Sequence, residues 1–160
     1  MHRAKGKLLV MSEQYKPKRL RRLARVWIDH GQPVYFLTIC VDGRKPLLNN
    51  ASVYARFRLF AEGSEERYGW TILCHVLMPD HVHLFARSSF NSMVRLGNWV
   101  KAMKAFVGNR EWKWQSGFFD HALRSDESRA QKWEYVRQNP VRAELVSKAE
   151  DWPYWGGNVI

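Results

Sequence analysis

The chain has 160 residues, 46% hydrophobic and 14% aromatic, enough for one domain around one buried core, which excludes a disordered chain. A formal net charge of +11 points to a polyanionic partner. No apolar run approaches the roughly 18 residues that cross a bilayer, and MHRAKGKLLVM is too short in its apolar part for a secretory signal, so nucleic acid stands ahead of a membrane surface.

Residues 1–28 form a basic arm ahead of a body at 29–147 and a tail at 148–160. In KPKRLRRLAR (16–25) six of ten residues are Lys or Arg; Lys18, Arg19, Arg21, Arg22 and Arg25 are either a phosphate-contacting segment or a solvated tail. VYFLTIC (34–40) has the length and β-branched content of a strand, and DGRKP closes it with turn residues. From Asn49 to about Ala61, Val53, Phe57 and Phe60 recur at helical spacing, with Asn49 or Asn50 as the cap. WTILCHVLM (70–78) is a second strand, PD a tight turn, and HVHLFAR a third strand pairing back. Between Asn91 and Asn109, Met93, Leu96, Val100, Met103 and Val107 predict an amphipathic helix. Residues 111–123 alternate enough for a fourth strand and a loop, and 125–138 starts a helix at a Ser125 cap. Cys40 and Cys74, inside strand-like segments, are expected to be reduced core thiols.

This order predicts an α+β fold: a ferredoxin-like split βαβ antiparallel sheet, helices on one face, and an added C-terminal helix. The other face is left for a site.

Two patterns carry chemistry. In HVHLFA, alternation places His81 and His83 on one side of a strand and Val82 and Leu84 on the other. Two imidazoles so placed can share a metal ion, or can be half-exposed histidines on an open sheet. In EYVRQNP, Tyr135 and Asn139 are four apart, which on one helix puts a phenol and a carboxamide on one face. The competing reading makes Asn139 a helix cap before Pro140 and Tyr135 a packing residue. Asp80 and His121 are weaker candidates near the site, and His75 is expected to be structural. Trp112 and Trp114 suit base stacking or core, and Lys101, Lys104, Arg110 and Lys113 suit a DNA path or a solvated face.

Taken together, an MPDHVH strand and a late helix with Tyr, then Asn-Pro four residues on and A-x-L-V beyond, resemble the single-tyrosine HUH transposases, more narrowly the REP-associated tyrosine transposases. The resemblance runs from about Val34 to Val146. It implies His81, His83 and Asn139 as ligands of Mg²⁺ or Mn²⁺ and Tyr135 as nucleophile. The implied activity is cleavage and rejoining of single-stranded, hairpin (REP-like) DNA through a 5′-phosphotyrosine, by a monomer, in the bacterial cytoplasm at the nucleoid. The alternatives are a dimer, a replication-initiator or relaxase-type nicking enzyme, and a non-catalytic ferredoxin-like binder of single-stranded DNA or RNA.

Overall fold

The computed structural model describes residues 28–29, 31–123 and 129–157. Lys18, Arg19, Arg21, Arg22, Arg25 and the Ser125 cap lie outside the described residues.

A short β1 (Ile28–Asp29) turns at Gly31, whose φ is +78°, into β2 (Gln32–Cys40). Helix α1 (Ala51–Tyr68) follows, then β3 (Trp70–Leu77), β4 (His81–Ser88) and helix α2 (Leu96–Val107). The chain ends in β5 (Phe119–Ala122), α3 (Arg129–Arg137), α4 (Asn139–Arg142) and β6 (Trp155–Gly157). Every pairing is antiparallel, and the sheet runs β1–β2–β4–β3–β6, with β5 also on β2. The β5–β2–β4–β3 order is the expected ferredoxin-like one.

Alternation divides the core into two. Leu37, Ile39, Val82, Leu84 and Ala86 face α1 and α2, meeting Phe57, Phe60, Trp99 and Met103. On the other face, Val34, Cys74, Val76 and Phe85 meet Trp133 and Val136 of α3 and Trp152. The histidines, odd-numbered on β4 like Phe85, therefore look toward the tyrosine-bearing helix and away from α1 and α2.

Several boundaries differ from the sequence reading. Of the two expected caps Asn50 is the one that serves α1, accepting from the Val53 amide at 3.0 Å, but the helix runs past Ala61 to a left-handed Gly69. Its last turns keep their place because buried Ser64 accepts from Trp99 Nε1 at 2.7 Å, a polar contact that apolar spacing does not reveal. α2 begins at Leu96 rather than Asn91, and Met93 is 95% exposed, because the Ser92 hydroxyl bonds the Tyr68 carbonyl and the Val94 amide in a turn. The strand expected over 111–123 shrinks to β5 and a single bridge from Trp114 to Val41. Trp112 and Trp114 lie edge to face and pack on the core beside α2. The tail supplies β6, which no periodicity announced. Cys74 is buried as expected, but Cys40 is half-buried on the histidine face, where Arg44 Nη1 donates to its sulfur at 2.9 Å.

Candidate active site

β2 and β4 set the centre of the site by register. Thr38 sits opposite His83 and Cys40 opposite His81, so all four side chains share one face. The imidazoles converge more closely than the strand repeat requires: Nε2 of His81 and Nε2 of His83 are 3.0 Å apart, with the rings nearly perpendicular.

Each ring is fixed through its other nitrogen. His81 Nδ1 lies 2.7 Å from Asp80 Oδ1, and His83 Nδ1 lies 2.9 Å from Thr38 Oγ1. Phe36 stacks on His83, with centroids 5.3 Å apart. Arg44 Nε donates to Asp80 Oδ2 at 2.6 Å, so both oxygens of that carboxylate are engaged. Arg44 Nη2 also comes within 3.4 Å of His81 Nδ1, but the shorter contact to an anionic acceptor decides that Nδ1 carries a proton for Asp80. The Nε2 lone pair of His81 then faces His83. Burial opposes the charge on Asp80, yet His81 and Arg44 together hold its carboxyl below the usual range. Burial pushes His81 down against the pull of Asp80. Burial, with the charges of His81, Arg44 and Arg142, pushes His83 down to about 3.

With Thr38 Oγ1 accepting from Nδ1, a neutral His83 would turn its Nε2 lone pair to the same point as His81, and the pair would then fit a cation. A separation of 3.0 Å matches two adjacent positions on an octahedral ion with ligands at about 2.1 Å. Among the described residues no three His, Cys, Asp or Glu side chains are arranged to hold an ion, so an ion placed between the two imidazoles would need amide, substrate or water oxygens as well.

The Tyr135 segment is less regular than one helix. α3 ends at Arg137 and α4 begins at Asn139, with Gln138 between them, its amide donating to the Glu134 carbonyl at 3.0 Å. Tyr135 is 62% exposed, so it is not a packing residue; Trp133 and Val136 hold the helix to the sheet. Asn139 does not cap α4. Its Oδ1 accepts from Arg142 Nη2, which also donates to the Tyr135 carbonyl at 2.6 Å, while the guanidinium covers the Tyr135 ring at 3.9 Å.

The remaining candidates separate. His121 shares the site face, opposite Phe36, one row beyond Thr38 and His83. His75 is structural: it is buried 3.3 Å from the Tyr54 hydroxyl and against Phe57. Lys101 and Lys104 ride on α2, across the sheet from the histidines, and the Lys104 ammonium is spent on the carbonyls of Gln115 and Gly117. Arg110 is exposed in the loop beyond α2. Lys113 comes to the histidine end, where its carbonyl accepts from the Asp42 amide at 2.8 Å. The sequence reading missed Thr38, Arg44 and Arg142, whose partners are set by register and turns. It also missed Phe119, 62% exposed on β5 and in one row with Thr38 and His83. The period-two pattern of FDHA is the signal that would have found it.

Residues 32–139 match the family model of IS200-like transposases. A Haemophilus influenzae protein named as a REP-associated tyrosine transposase is 27% identical over 157 residues, covering 78% of this chain and 88% of its own length. The REP-associated tyrosine transposase of Escherichia coli K12 is 27% identical over 81 residues, 49% of either chain. Among solved structures, a REP-associated tyrosine transposase bound to a REP hairpin superposes with a TM-score of 0.60 at 23% identity, covering 82% of this chain and 79% of the other, which supports the likeness of fold.

Proposed function

The chain belongs to the IS200-like transposases, DNA-cleaving and -joining enzymes, and on that premise we propose that it cuts single-stranded, hairpin-bearing DNA through a covalent bond to Tyr135. The observation that carries the reading is the convergence of two neutral imidazoles, Nε2 to Nε2 at 3.0 Å, on the sheet face beneath the helix of an exposed tyrosine.

His81 and His83 would hold a divalent cation, Mg²⁺ or Mn²⁺, with the Asn139 carboxamide as a third protein ligand. When bound, such an ion neutralises charge on phosphate oxygens and orients the phosphodiester. The Tyr135 oxygen attacks phosphorus as its proton passes to solvent. The bond from phosphorus to the 3′-oxygen breaks, and that oxygen takes a proton from solvent, leaving a 5′-phosphotyrosine and a free 3′-hydroxyl. Because the linkage conserves the phosphodiester, attack by another 3′-hydroxyl reverses the step and joins strands. Phe119, exposed two strands from His83, provides a face for an unpaired base.

Packing supports a monomer. Trp133 and Val136 of α3 are buried on their own sheet, Arg137 pairs with Glu150, and its guanidinium lies 4.8 Å from the Trp155 ring. On this reading the helix that carries the tyrosine stays on the histidine face of its own sheet.

The test is cleavage of a labelled hairpin oligonucleotide with Mn²⁺. The single-stranded substrate is expected to be cut, its fully duplex counterpart to resist, and chelation to stop the reaction. Equal cleavage of both forms, or cleavage indifferent to chelation, contradicts the reading.

A further inference from the structure

Arg142 makes contacts that an ordinary helix-ending arginine does not need. Satisfying the last carbonyls of α3 accounts for its bond to the Tyr135 carbonyl at 2.6 Å. It accounts neither for the second Nη2 hydrogen going to Asn139 Oδ1 nor for the guanidinium lying 3.9 Å over the Tyr135 ring. All three contacts go to the two residues given the roles of nucleophile and third ligand. Among the described residues, Nε and Nη1 of this exposed side chain make no hydrogen bond, so one edge of the fork stands open to solvent.

We propose that Arg142 is a phosphate-responsive switch on Asn139: without DNA it occupies the carboxamide oxygen that an ion needs, and the scissile phosphate draws it away. This rests on the reading of His81, His83 and Asn139 as metal ligands. A neutral amide oxygen is a weaker acceptor for guanidinium than a phosphate, which offers a charged, two-pronged partner. Once the fork turns to phosphate, the Asn139 oxygen is released. The phosphate is then held beside the ring that Arg142 already covers. Turning the guanidinium from Asn139 Oδ1 onto an anion also takes its positive charge off the oxygen that a cation would bind. DNA and ion therefore raise each other's affinity by the same factor.

The experiment measures Mn²⁺ binding by electron paramagnetic resonance on the full chain carrying Tyr135→Phe, which keeps the DNA intact, with and without the hairpin oligonucleotide. In this parent, DNA is expected to tighten Mn²⁺ binding about fivefold or more. Arg142→Ala is expected to bind Mn²⁺ more tightly than the parent without DNA, and to lose the DNA effect. Arg142→Gln, which keeps a donor for the Tyr135 carbonyl, should do the same, so a failure of Arg142→Ala to fold does not decide the matter. An undiminished DNA effect, or unchanged or weakened Mn²⁺ binding without DNA in both variants, overturns the switch. Mn²⁺ affinity indifferent to His83→Ala overturns the metal-ligand reading itself, and the switch falls with it.

Discussion

Asp80 decides which nitrogen of His81 faces an ion. With one oxygen on His81 Nδ1 and the other on Arg44, it keeps the Nε2 lone pair turned toward His83. Asp80→Ala is expected to lower Mn²⁺ affinity about 10- to 100-fold with the fold retained, measurable by calorimetry; unchanged affinity would remove Asp80 from the site. The pattern of His81 and His83 was legible because alternation along a strand is local. Thr38 and Arg44 were not, since strand register and a turn choose them from 36 to 45 residues away. His75 was read correctly as structural, and it has a cost at low pH. Burial, aided by the charge of Arg58, pushes it down to about 4. Between about pH 6.5 and 4 the unfolded chain binds a proton there that the folded chain does not, so stability falls as pH drops through that window. His81 and His83, also lowered, add to the same slope. Urea denaturation from pH 7.5 to 4.5 should therefore show a shallower loss in His75→Gln than in the parent, and equal slopes would contradict the assignment.

At the scale of elements, the tail does more than close the chain. β6 pairs with β3 at a bulge, and Gly157, with φ +82°, lies where an added Cβ would come within 2.1 Å of the Leu73 carbonyl oxygen. The neighbouring Trp155 and Glu150 receive Arg137 from α3, so this strand braces the tyrosine helix. Gly157→Ala is expected to destabilise the protein by about 1–3 kcal/mol, read by thermal or denaturant unfolding; wild-type stability would show that the edge gives way freely. A three-residue strand with two glycines carries no hydrophobic period, which is why the sequence did not disclose it. The long strands and both large helices were legible from spacing. Met93 misled because its place in the periodic series continues past a turn held by the Ser92 hydroxyl. β5 was visible as alternation, though its exposed Phe119 was not marked as part of the site. Phe119→Ala is expected to weaken single-stranded DNA binding about tenfold in fluorescence anisotropy, while Mn²⁺ binding is unchanged. Undisturbed DNA affinity would take Phe119 off the DNA path.

For the whole molecule, the sheet assigns one face to each task. α1 and α2 bury the side that builds the larger core, and the opposite side carries the histidines under α3. Strand and helix order made this division legible, because the split βαβ arrangement places its two crossover helices together. What order alone did not show is that the late helix breaks at Gln138 and that Arg142 joins its two parts. Of the basic cluster named for a DNA path, Lys101 and Lys104 lie on α2, across the sheet from the histidines. The central claim is that Tyr135 becomes bonded to DNA, and mass spectrometry of the chain after reaction with Mn²⁺ and the hairpin oligonucleotide tests it most directly. The account predicts a nucleotide 5′-phosphate on the peptide containing Tyr135, absent from Tyr135→Phe; a nucleotide on any other residue, or cleavage by Tyr135→Phe, would contradict it.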